Sequence, residues 1–186
     1  PLIHEFKKYT QFEIRICITA QHREMLDNVL SFFNIIPDYD LNLMKPNQNL
    51  YSLTSDIILG LKVILENYKP DYVYVHGDTT TTMAASIAAF YSGSKVCHVE
   101  AGLRSYNLEM PEEHNRIESD QLSKWLFTPT SQASENLKKE GFSDNTITQV
   151  GDVMLDALQM FRSKAAHTLK MGPHSFFNKP FALVTM

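Results

Sequence analysis

The residues of this 186-residue chain that could do chemistry gather at the carboxyl ends of two neighbouring apolar runs. Residues 72–75 lead into His76-Gly77-Asp78, and residues 95–99 carry His98 and lead into Glu100-Ala-Gly-Leu-Arg104. A further acidic group, Glu112 with Glu113, follows Pro111. Carboxylates take and return protons, and one that ends a buried strand near an arginine is placed for general acid/base work. Plainer readings compete. Asp78 can serve as the N-cap of the helix that follows it. Glu112 stands four residues before Arg116, the spacing of a surface ion pair. Glu100 resists such a reading, because the residues after it do not form a cap pattern. The histidines offer another chemistry, since His76-x-Asp78 and His98-x-Glu100 would set paired metal ligands on adjacent strands. Neither pair has the spacing of a known zinc signature, and no metal is expected.

Bringing these groups together requires a strand, a helix and a second strand. The β-branched and aromatic run 72–75 reads as a strand buried on both faces. Four threonines, residues 79–82, open a helix to Tyr91, and Gly93 is placed to end it in a left-handed conformation. Ala84, Ala85, Ala88 and Ala89 let that helix lie close on a sheet. In an open α/β sheet, ligands sit beyond the carboxyl ends of the strands. Neither a G-x-G-x-x-G nor a G-x-x-x-x-G-K-[ST] fingerprint is present, so a phosphate would rest on the N-terminus of the threonine helix.

The flanking sequence keeps the same rhythm. Strands are expected at 13–19, 39–43, 126–128 and 146–150. Helices are expected at 21–33, 112–125, 131–140 (ended by Gly141) and 153–162, with one more closed by Pro70. The apolar stripes are Met25, Leu26, Val29, Leu30 and Phe33 on one helix, and Leu53, Ile57, Leu61, Ile64 and Leu65 on another. Such alternation predicts an α/β protein with a doubly wound parallel sheet. Residues 1–165 read as one domain, 166–180 as a linker with Gly172 and two prolines, and 181–186 as the first strand of a following domain. Pro1 falls inside a helical pattern (Leu2, Ile3, Phe6), from which a missing first strand is expected.

Composition narrows the partners. A hydrophobic share of 44% and a mean hydropathy of −0.22 describe a soluble globular chain. A formal charge of −4 argues against nucleic acid or an anionic membrane as principal partner. No apolar run reaches membrane-spanning length and no signal-peptide pattern is visible, so a cytoplasmic location is expected. Cys17 and Cys97 sit in apolar strands and read as buried free thiols.

The motifs are specific enough to carry a resemblance. HGDTTTT at 76–82, HVEAGLRS at 98–105, MPEEHNR at 110–116, AQHREMLDNVL at 20–30 and VGDVMLDAL at 150–158 resemble the bacterial non-hydrolysing UDP-N-acetylglucosamine 2-epimerases, in order and over almost the whole chain. The resemblance implies two Rossmann-like domains facing across a cleft, as in GT-B glycosyltransferases, with residues 1–165 as the first. It implies interconversion of UDP-N-acetylglucosamine and UDP-N-acetylmannosamine without a cofactor. UDP leaves C1 as a proton leaves C2, giving 2-acetamidoglucal, and both then return. By motif match Asp78, Glu100 and Glu112 are the catalytic carboxylates, and His76, Thr79, His98, Arg104 and Arg116 surround the substrate. A second, activating substrate site would use Gln21, Gln48 and Glu112. Glu24 stands where glutamine is common and Asn47 where arginine is, which weakens that site, and His114 replaces an aliphatic residue. A basic G-T-R-P-E loop before Pro1 and a histidine-arginine motif after Met186 are expected, so the chain alone should be inactive; the full-length enzyme is separately expected to be a homodimer. A hydrolysing or L-sugar-specific relative, a GT-B glycosyltransferase half, a sugar-nucleotide binding half and a metal hydrolase are the alternatives.

Overall fold

The computed structural model describes residues 1–19, 23–43 and 48–169. By their contacts they form two units: Gln11–Gly151, and Pro1–Thr10 together with the chain from Asp152 on. In the smaller unit, α1 is Leu2–Phe6 and α7 is Val153–Leu169. The latter continues past Arg162, so the start of the stretch expected as a linker is helical; residues 170–186 lie outside the described ones.

In the larger unit the elements run β1 (Cys17–Ile18), α2 (Arg23–Phe32), β2 (Tyr39–Asp40), α3 (Leu50–Tyr68), β3 (Tyr72–His76), α4 (Thr80–Ser92), β4 (Lys95–Val99), α5 (Pro111–Leu122), β5 (Ser123–Thr128), α6 (Ser131–Lys139) and β6 (Ile147–Gln149). The strands β3-β4-β5-β6 lie side by side in that order, every pair parallel, and β1 pairs β2 parallel in a separate short ladder. The fold is therefore the expected parallel α/β sheet. The first strands are shorter than their apolar runs, and β5 starts at Ser123, where the sequence reading kept a helix to Trp125.

Local chemistry explains the central unit. Thr79 caps α4 by accepting from the Thr82 amide, and Gly93, with φ 80°, closes it. Ala84 and Ala88 pack on the α3 stripe of Leu53, Ile57, Leu61 and Leu65, while Ala85 and Ala89 pack on Val75 and Val96 of the sheet. A helix of alanines thus touches a neighbouring helix and two strands at once. On α2 the stripe is narrower than its pattern promised, for Met25 and Val29 are exposed while Leu26, Leu30 and Phe33 are half-buried. These three follow i, i+4, i+7, a single line down the helix.

Candidate active site at the strand ends

The parallel register puts His76 opposite Val99, so both polar turns leave the sheet at the same edge. The Gly77 amide donates to the Val99 carbonyl at 3.0 Å, which locks the two turns together. Glu100 follows with φ 70°, a left-handed conformation that residues with a side chain adopt at a cost and that gathers at functional sites. Its carboxylate reaches back over Gly77: a Cβ built there would lie 3.3 Å from Glu100 Oε2. His76 Nε2 stands 3.3 Å from Glu100 Oε1, and both side chains are partly open to solvent. The arginine expected beside Glu100 is engaged elsewhere, and a histidine has taken that place.

Asp78 does not cap α4; Thr79 does. Instead the Asp78 carboxylate pairs with Arg116 of α5, and the Asp78 carbonyl accepts from Asn115 Nδ2 at 2.8 Å. Arg116 also donates to Glu113 at 2.8 Å. The surface pair expected between Glu112 and Arg116 is thus replaced by a bridge from Asp78 to Glu113. Glu113 is 1% exposed, and its carboxylate accepts from the amides of Ser105 and Tyr106 and from the Ser105 hydroxyl. Burial alone would raise its pKa, but these amides, Arg116 and the hydroxyl hold it down at about 2. Of the two adjacent glutamates, Glu113 is therefore the fixed anchor of the 105–106 loop. Glu112 is exposed on the first turn of α5.

His98 and Arg104, expected to touch substrate, are buried and fully engaged. His98 Nδ1 lies 2.6 Å from Asp120 Oδ1, and Nε2 lies 2.8 Å from the Gly77 carbonyl. With both ring nitrogens used, His98 has none left for a metal. Arg104 holds Asp120 at 2.7 Å and clasps both oxygens of Glu140. Burial opposes its charge, yet Glu140 and Asp120 more than offset that and push its pKa up. Among the described residues no three of His, Cys, Asp and Glu converge as a metal-holding group. Cys17 and Cys97 are free thiols whose pKa values burial pushes up to about 11. Gln21, Asn47 and the side chain of Glu24 lie outside the described residues, whereas Gln48 presents a buried Nε2 without a hydrogen-bond partner.

Sequence reading named Glu113 without its anchoring role and missed Asp120 and Asn115; all three are buried on α5. The available signal was a helix placed between two strands with only Ile117 and Leu122 as apolar residues beyond its first turn. A helix so placed must bury polar groups, and buried polar groups need partners.

Comparison with known proteins then decides the family. The sequence profile of the family described as UDP-N-acetylglucosamine 2-epimerase matches residues 4–186. The chain belongs to the UDP-N-acetylglucosamine 2-epimerase family. A relative of that name from Escherichia coli K12 is 48% identical over 183 residues, covering 97% of this chain and 49% of its own length. The crystal structure of UDP-GlcNAc 2-epimerase from Neisseria meningitidis bound to UDP-GlcNAc superposes with a TM-score of 0.85 at 50% identity, over 91% of this chain and 47% of that one. The enzyme from Methanocaldococcus jannaschii in complex with UDP-GlcNAc and UDP gives a TM-score of 0.84 at 33% identity, over 96% of this chain and 49% of that one. The chain thus spans about half the length of the curated relatives it matches, and the parallel sheet is that of a GT-B-like epimerase half.

Proposed function

We propose that the full-length protein carrying this chain interconverts UDP-N-acetylglucosamine and UDP-N-acetylmannosamine. The observation that carries the reading is Glu100: a carboxylate at a strand end, in a strained conformation, aimed over Gly77 and set beside His76. The C2 hydrogen of the sugar has no adjacent carbonyl, so its removal needs a leaving group at C1 to take the electron pair. A base accepts the C2 proton, the C1–O bond to UDP breaks, and a C1=C2 double bond forms. Return of a proton to the opposite face and of the UDP oxygen to C1 gives the epimer. Glu100, Asp78 and Glu112 supply carboxylates for these transfers, each worth ~10²–10⁴ in rate when well placed. The strand ends and the start of α4, capped by Thr79, form the edge on which the sugar would rest.

In this reading residues 1–165 are the N-terminal domain, 166–180 lead out of it and 181–186 begin the next. The enzyme works in the cytoplasm, is built without a cofactor, and is a homodimer. Exposed Leu59 and Val63 on α3, and Phe90 and Tyr91 on α4, support an apolar contact between copies. An activating site at Gln21, Gln48 and Glu112 finds support in the unpaired buried amide of Gln48. The test is incubation of the full-length protein with UDP-N-acetylglucosamine, the products being read by proton NMR. UDP-N-acetylmannosamine is expected; free N-acetylmannosamine with released UDP would assign the hydrolysing chemistry instead.

A further inference from the structure

We infer that Asp120 is a positioning residue for Glu100, acting together with His98 through the backbone on both sides of it. This rests on the catalytic reading of Glu100 above. Asp120 is fully buried on α5, and its carboxylate meets three groups on either side of Glu100, namely His98 of β4, Gly102 and Arg104. Oδ2 accepts from the Gly102 amide at 3.1 Å and is ion-paired with Arg104 at 2.7 Å, while Oδ1 meets His98 Nδ1 at 2.6 Å. His98 then passes the hold on to the Gly77 carbonyl at 2.8 Å.

Hydrogen accounting gives this chain a direction. A carbonyl only accepts, so His98 Nε2 carries a hydrogen. The short contact at Nδ1 needs a second hydrogen between the ring and the carboxylate. The pair therefore holds one proton more than a neutral imidazole facing an ionised carboxylate would. A buried charge-assisted link of this kind is stiff, because breaking either end strands an unpaired polar group.

Glu100 lies between the two residues that Asp120 grips, His98 and Gly102. Its positive φ is a conformation the chain leaves unless neighbours over-determine it. The neighbours here are the Gly102 amide on Asp120, the Ala101 amide on the Phe127 carbonyl at 3.1 Å, and Gly77, over which the Glu100 carboxylate lies. One buried carboxylate is therefore tied to the backbone after Glu100 through Gly102 and, through His98, to its floor at Gly77, beside the backbone bonds of Ala101 and Gly77. Asp120→Asn keeps the shape but removes the charge: with its oxygen toward Gly102 and Arg104, its NH₂ group faces His98 Nδ1, which can accept from it only as a neutral ring protonated at Nε2.

A double-mutant cycle in the full-length protein separates positioning from bulk support. Asp120→Asn is expected to lower kcat for UDP-N-acetylglucosamine by ~10- to 100-fold with KM within about 3-fold, and by less than about 2-fold further in a Glu100→Gln background. Unchanged kcat, or losses that simply multiply, would overturn the proposal. Should Asp120→Asn fail to fold, His98→Gln enters the same cycle with the same expectation. A readout independent of activity is the ¹⁵N spectrum of histidine-labelled wild type. His98 Nε2 is expected to bear hydrogen, and a ring protonated only at Nδ1 would break the link to Gly77 and overturn the proposal. A wild type without epimerase activity would sink the reading of the site, leaving the spectrum to judge the link.

Discussion

At the scale of single residues, the site separates groups that are free to react from groups that are tied down. Glu100 keeps a partly open carboxylate beside His76, and Asp78 is partly open but paired with Arg116, whereas Glu113, His98, Arg104 and Asp120 spend their polar atoms inside the protein. Glu100→Gln in the full-length protein removes proton transfer and keeps the shape, so turnover should fall ~10²–10⁴-fold with thermal stability near that of wild type. Near-normal turnover would reduce Glu100 to a structural residue. Glu113 should behave in the opposite way. Its folded pKa of about 2 lies below the ordinary 4.5. Its stabilisation is therefore complete above pH 4.5 and is lost as pH falls from there toward 2. Being almost fully buried, it stands for something on the order of 3 kcal/mol. Urea titrations of wild type and Glu113→Gln should show a large stability gap at pH 7 that narrows below pH 4.5; a gap constant with pH would contradict the role.

At the scale of elements, α5 is the beam under both turns at the strand ends. Arg116 and Asn115 hold the turn after β3, while Glu113 and Asp120 hold the loop after β4. That loop also presses on α6 through Gly102, whose φ is 79° and where a Cβ would lie 2.3 Å from the Ala133 carbonyl oxygen. Gly102→Ala should cost roughly 3 kcal/mol or more, both from the conformation and from backbone atoms that cannot give way. A denaturation midpoint equal to wild type would show that the loop has room to move. This is also where sequence reading reached its limit. The alternation of strands and helices, the stop at Gly93 and the close-packing alanines were legible because each depends on neighbours a few residues away, although the cap fell to Thr79 rather than Asp78. Arg116 was paired on paper with Glu112, four residues off, but its partner Asp78 lies 38 positions away. The positive φ of Glu100 and the burial of Asp120 are likewise set by chain segments that meet only in the fold, and no local pattern encodes them.

At the scale of the whole molecule, the chain corresponds to about half of its curated relatives. A diphosphate leaving group needs positive charge, and the arginines at this edge, Arg104 and Arg116, are already committed to Glu140, Asp120, Asp78 and Glu113. Residues 1–186 alone should therefore bind UDP with no better than millimolar affinity, roughly −4 kcal/mol, by isothermal titration. Micromolar binding would move the nucleotide site into this half. The central claim is that carboxylates at the strand ends, Glu100 foremost, carry the C2 proton of the sugar. The most direct measurement follows C2 by proton NMR as the full-length protein acts on UDP-N-acetylglucosamine in deuterated water. Deuterium should enter C2 of the sugar nucleotides with wild type and slow by at least about a hundredfold with Glu100→Gln; a C2 hydrogen retained through turnover, or exchange undiminished in the variant, would contradict it.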